Sequence, residues 1–181
     1  MALANIKYHH IRMDPDLFYH YRHVPMEVKT KVSGGADVGA NGLLLFASTG
    51  TEVAFAQFFI PEMWADGTGI MPHINWSKTS DASGDVVFQI RHRHIRPAEV
   101  PGSFGDWTDV SSSDSTIDAT QKIIDDRFPI IQVPATVFGE QIQFEIRRKH
   151  DDADDDYGAD AILWAFGVHL QVQGPGEINA I

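Results

Sequence analysis

The feature that most narrows what this chain can fold into is a hydrophobic period of two. Ile162, Trp164, Phe166, Val168, Leu170 and Val172 alternate with other residues over one unbroken stretch. Successive side chains of a strand point to opposite faces, so this spacing gathers all six on one face. On a helix it would scatter them around the axis. The same alternation recurs in "GDVVFQIRHRHI", where Val86, Phe88 and Ile90 oppose Gln89, Arg91 and Arg93. In "EQIQFEIRRK", Ile142, Phe144 and Ile146 alternate with Gln141, Gln143, Glu145 and Arg147.

Residues 43–48, 52–60, 70–77 and 128–133 read as further strands. Turn-forming clusters separate the set: "STGTE", "WADGTG", "SDASGD", "RPAEVPGSFGD" and "HDDADDDYGAD". Residues 14–21 and 115–126 are the two stretches with helical potential, and the second reads equally well as an extended edge. Many short strands punctuated in this way predict an all-β fold, an antiparallel β-sandwich of jelly-roll-like type with an N-terminal arm.

Three segments follow. The glycine-rich "SGGADVGANG" at 33–42 reads as a hinge between an arm, 1–32, and a sandwich domain, 43–181. The arm is rich in tyrosine, histidine and arginine, a mixture favoured at protein interfaces. Arg12, Phe18, Tyr19, Tyr21 and Arg22 are therefore the candidate partner contacts. The plainer reading is an arm packed over its own core. In 52–60, Val53, Phe55 and Phe59 share one face and Ala54, Ala56, Phe58 and Ile60 the other. A sandwich strand needs only one apolar face. The second is expected to be covered by the arm or by another copy, which predicts a homo-oligomer.

Charge and composition remove several classes of function. The 181-residue chain carries Asp+Glu 25 against Lys+Arg 14, a formal net charge of -11. Nucleic-acid binding needs clustered cations, so nucleic acid is not an expected partner. There is no cysteine, hence no disulfide framework and no thiolate zinc site, which suits assembly in a reducing cytoplasm. The most apolar runs, "GLLLFAS", "EVAFAQFFIP" and "AILWAFGVHL", are too short to cross a bilayer as helices, and the start lacks a secretory pattern. No membrane role is expected.

The residues with metal or catalytic potential are few. His92 and His94, two apart with Glu99 following, resemble the first half of a cupin metal motif, and His73 in "PHINW" is a conceivable third ligand. The second half, a glycine-rich turn bearing another histidine, is missing. The plain alternative is that His92 and His94 continue the face of Val86, Phe88 and Ile90 to the end of a strand. Asp151, Asp152, Asp154, Asp155 and Asp156 suggest calcium, but the loop lacks the glycine and glutamate of an EF-hand. It reads instead as a solvated hairpin tip whose like charges discourage edge pairing. The run "SSSDST" has no strained nucleophile turn, and there is no phosphate-binding glycine loop. Neither metal, cofactor nor catalysis is expected.

The stretch "IPEMWADGTGIMPHINWSKTSDASGDVVFQI" resembles small jelly-roll-like β-sandwich virion proteins of tailed bacteriophages. Pro61, Trp64, Gly67, Thr68, Ile70, Pro72, His73, Trp76, Gly84 and Val86 carry the resemblance. It implies a non-enzymatic virion structural protein, a homotrimeric capsid cement or decoration protein that binds the outside of the head. Its partners would be itself and the major capsid protein or other virion proteins. A tail or head-fibre appendage with a carbohydrate-binding sandwich is the alternative, stacking Trp64 or Trp107 on sugars. A cupin-like metal enzyme is the third reading.

Overall fold

The computed structural model describes the backbone of residues 20–26, 28–30, 37–38, 43–61, 64, 67–112, 122–133 and 140–172, and the side chains of 26, 43–61, 64, 67–109, 122–133 and 140–170. The described strands are β1 (His20–Met26), β2 (Val28–Thr30), β3 (Asp37–Val38), β4 (Leu44–Phe46), β5 (Ala54–Phe59) and β6 (Gly69–Lys78). After them come β7 (Val86–Ile95), β8 (Thr108–Ser112), β9 (Ile124–Arg127), β10 (Ile131–Gln132), β11 (Gln141–Arg148) and β12 (Ala161–Val172). The described residues contain no helix, and the end of 115–126 takes its extended alternative as β9.

Two antiparallel sheets pack face to face as a β-sandwich. One has seven strands in the order β10-β6-β12-β4-β3, with β9 also on β6 and β1 also on β12; the other has five, β2-β5-β11-β7-β8. β12 is the spine of the larger sheet, pairing with β6 on one edge and with β4 and then β1 on the other. Residues 20–26 and 28–30, read as arm from the sequence, thus enter the two sheets: β1 lies against β12 and β2 against β5.

The core is what alternation predicts for most strands. Phe88, Ile90, Ile142, Phe144 and Ile146 are fully buried between the layers, while Arg91, Arg93, Gln143 and Arg147 face outward. Aromatic rings cross from sheet to sheet. Phe88 of β7 meets Phe46 at 5.9 Å and Trp76 at 5.5 Å, and Phe144 of β11 meets Phe166 at 5.3 Å, all near edge-to-face. That geometry adds about 0.5–1.5 kcal/mol per pair beyond area burial.

The stripe on β12 is broken. Pairing with β6 slips between Leu163 and Ala165, so Trp164 is an extra residue on this strand. A bulge of one residue exchanges the faces. Ala161 and Leu163 point inward before it and Phe166, Val168 and Leu170 after it, leaving Trp164 39% exposed on the outer face. The expectation that Ile162 and Trp164 join the core stripe is thereby corrected.

Asp155 departs from the solvated-tip reading of the aspartate-rich loop, whereas Asp151, Asp154 and Asp156 are exposed as that reading expects. Asp155 is buried and forms a forked ion pair with Arg148, whose Nε lies 2.9 and 3.1 Å from its two oxygens and whose Nη2 lies 2.6 Å from Oδ1. The same carboxylate accepts the Val87 N–H, and Asp156 accepts that of Asp85. Arg148 also donates to the carbonyls of Ala159 and Tyr157. Tyr157 is 1% exposed, and its hydroxyl accepts the N–H groups of Thr79 and Ser80 at 3.0 and 2.9 Å. Asp155 and Asp156 therefore serve as anchors clamping the loop across the sandwich end. Gly84 permits the closure: its φ is +129°, and a Cβ there would stand 2.7 Å from the Tyr157 Cα.

Candidate functional site

Strand register arranges the outer face of the five-stranded sheet into rows. Gln57, Gln143 and Arg93 lie side by side on β5, β11 and β7; Phe55, Glu145 and Arg91 form the next row, and Phe59, Gln141 and Ile95 the row on the other side. Side-chain amides bridge the strands. Arg93 Nε donates to Gln143 Oε1 at 2.9 Å, Gln143 Nε2 to Gln57 Oε1 at 3.4 Å, and Gln57 Nε2 to Gln141 Oε1.

One half of this face is roofed by the loop after β7. The turn signals in "RPAEVPGSFGD" announce a loop but not where it goes. It folds back, with Gly105 N–H donating to the His92 carbonyl at 3.0 Å. Phe104 then lies over Arg93 at 4.5 Å and Arg91 at 5.3 Å, and near Phe55. Trp107 covers Arg147 at 4.0 Å and Arg91 at 4.6 Å. Arg91 is also ion-paired to the buried Glu145, and Arg147 Nε donates to Gln89 Oε1. A guanidinium lying over an aromatic ring is attracted to its face, which restricts these side chains. The other half, the amide row with Phe59 at 60% exposure, is open.

The outer face of the seven-stranded sheet is different. Trp164 donates its indole N–H to Ser77 Oγ at 2.8 Å. The exposed Ile123, just before β9, adds a second apolar side chain to this layer. Further along the same face His73 bonds Asp125 at 3.0 Å and its ring lies 4.7 Å from that of His169. Burial pushes the His73 imidazole below its ordinary pKa, against the pull of Asp125.

His92 and His94 stand where the plainer reading puts them, on the inner face at the end of β7, opposite Phe144 and Ile142 in register. With Arg93, Gln132, Val133 and Ile142 they line a cleft of about 290 Å³ at one end of the sandwich. Sequence reasoning missed Glu140 here. It is buried, with Oε2 3.7 Å from His94 Nε2 and Oε1 3.3 Å from Arg96 Nε. Desolvation depresses the pKa of both histidines, helped at His92 by the neighbouring His94 and opposed at His94 by Glu140. Glu99, the cupin-like partner in sequence, is turned to solvent and among the described residues reaches only Arg96, at 3.9 Å. His73 sits on the outer face of the other sheet and joins neither. Among the described residues no group of three His, Asp or Glu side chains is placed to hold a metal ion.

Of the expected contact residues, Tyr21 and Arg22 lie on β1 by backbone position, where they pair with Gln171 and Leu170. Their side chains, and the whole of Arg12, Phe18 and Tyr19, lie outside the described residues. Of the two tryptophans expected to stack on sugars, Trp107 is half-buried with its ring against Arg147 and Arg91, and Trp64 is buried at 6% exposure.

No family model and no curated protein matches this chain. Among solved structures it is similar to a CocE/NonD family hydrolase from Staphylococcus aureus, with 9% identity over 88% of this chain and a TM-score of 0.48. The chain spans only 38% of that hydrolase. A xylan-binding domain from CBM 22 aligns over 95% of this chain and 97% of its own, at 16% identity and a TM-score of 0.35. TmCBM61 in complex with β-1,4-galactotriose aligns over 86% and 91%, at 9% identity and 0.30. At these scores none of the three bears on what the chain does.

Proposed function

We propose that this chain is a non-enzymatic virion structural protein, a homotrimeric β-sandwich that decorates a bacteriophage head by packing its seven-stranded face against neighbours. The observation that carries the reading is the bulge at Trp164. It takes a large aromatic residue out of the core stripe and sets it on the outer face, in the sheet layer that also presents Ile123. Burying such side chains against a neighbour stabilises an assembly by about 25 cal/mol per Å² of apolar area. The sequence resemblance supplies the kind of assembly. Sedimentation of the purified protein, with and without Trp164→Ser and Ile123→Ser, tests the contact. Mass spectrometry of purified particles, with copy number, tests the location. A monomer at micromolar concentration that is absent from particles overturns the proposal.

A second reading, an appendage with a carbohydrate-binding sandwich, is favoured by a separate observation. The five-stranded face combines ring-stacked arginines with an open row of amides beside an exposed phenylalanine. Both readings hold together if one sheet face assembles and the other binds.

A further inference from the structure

The charge on the five-stranded face runs against the charge of the chain. On a protein of net charge -11, β7 and β11 place Arg91, Arg93 and Arg147 on one outward surface. Glu145 of β11 is already engaged with Arg91, and Asp109 of the edge strand β8 with Gln89 and Lys149. Arg93 is held by Gln143, the Gly102 carbonyl and the Phe104 ring, and Arg147 by Gln89 and the Trp107 ring. Neither has a carboxylate partner among the described residues. Arg93 is fixed through Nε, Nη1 and a ring face, and Arg147 through Nε and a ring face, which leaves each guanidinium further terminal N–H donors for an oxyanion.

Arg93 also stands at the boundary between the roofed and open halves, at the end of the hydrogen-bonded chain Gln143, Gln57 and Gln141. Each amide in that chain is tied to the next by one bond and retains further donor or acceptor capacity. A flat row of amides matches ring hydroxyls better than it matches a protein interface centre, which is apolar and poor in charge. Phe59, next to Gln141 in register and 60% exposed, offers a surface for the apolar face of a sugar ring.

We propose that this open half is a binding site for an acidic polysaccharide. A carboxylate of the glycan would meet Arg93, its hydroxyls the amides of Gln57, Gln141 and Gln143, and one ring Phe59. The proposal rests on the second reading above and adds the charge of the ligand to it.

The test is affinity electrophoresis and calorimetry of the whole protein with alginate as the polyanion and dextran as the neutral polymer, across a salt series. Alginate should bind, weakening as salt rises, and dextran should not. Loss of a charge-assisted hydrogen bond in Arg93→Gln should weaken alginate binding by about 10- to 100-fold. Gln57→Ala, at an exposed position with no part in holding Phe104, should weaken it with the thermal melt unchanged. Equal binding of dextran and alginate refutes the charge argument while sustaining a carbohydrate-binding face. Binding of neither polymer refutes both. Alginate binding that both variants leave intact places the site elsewhere and overturns the inference. Self-association abolished by the same variants assigns the face to a second copy of the chain and overturns it equally.

Discussion

Replacing Asp155 with alanine should be among the most damaging single changes to this fold. The carboxylate is 1% exposed and its partner Arg148 2% exposed, so neither group is hydrated in the native state. Removing Asp155 strips three close N–O contacts from the guanidinium and the acceptor from the Val87 N–H. The carbonyls of Ala159 and Tyr157 remain to Arg148, but they bring no countercharge. Breaking a buried pair from one side costs about 3–5 kcal/mol. For a chain of this size each kcal/mol shifts the melting temperature by about 2–4 °C, giving a fall of roughly 6–20 °C. Urea denaturation at fixed protein concentration, read by tryptophan fluorescence, should show the midpoint drop with the slope preserved. The double variant Arg148→Met/Asp155→Leu should recover much of the loss, because replacing both charges removes the stranded one. An Asp155→Ala protein within about 0.5 kcal/mol of the parent, an effect typical of a surface site, refutes the clamp. A double variant no better than the single refutes its electrostatic cause.

Three further outcomes follow from the same geometry. Gly84→Ala should cost about 1–3 kcal/mol in a thermal melt, from its left-handed φ and the approach of Tyr157, whereas Gly50→Ala meets open space and should cost less. Tyr157→Phe removes the acceptor for the Thr79 and Ser80 N–H groups and should cost about 1–2 kcal/mol by urea denaturation. The lowered pKa values of His92 and His94 mean that the unfolded chain takes up their protons first as pH falls. Their contribution is complete above the ordinary value of 6.5 and is lost as pH drops through the folded values. Melting temperature should therefore decline from pH 7.5 to 5, and His92→Leu/His94→Leu should flatten that decline.

The layers were legible in the sequence wherever burial alternates cleanly. Val86, Phe88 and Ile90, or Ile142, Phe144 and Ile146, disclose both the strand and its inner face, and they also place His92 and His94 at the strand end. What escaped depends on contacts between distant segments. Nothing near Trp164 announces a bulge, because Leu163 is as apolar as its neighbours and either register satisfies the pattern. The loop carrying Phe104 and Trp107 reads as turns, since the arginines that draw it back lie on β7 and β11. Asp155 looks like any other aspartate of its run until Arg148 and the Val87 N–H are brought to it. Glu140, one residue before a strand, carries no local mark of burial. The candidate binding face was thus half visible: its arginines and glutamines alternate in plain sight, but the aromatic roof that organises them does not.

The position of β12 has a consequence for how the molecule is made. This strand is laid down after every other described element, yet it is the one between β6 and the strands β4 and β1, with residue 172 opposite residue 20. Until it emerges from the ribosome the larger sheet has no centre, and β1, β4 and β6 wait with unmatched edges. Synthesis therefore cannot hand over a finished N-terminal half. Pairings across so much of the chain are slow to close, and the nascent protein is for that interval a natural client for chaperones and a target for premature association.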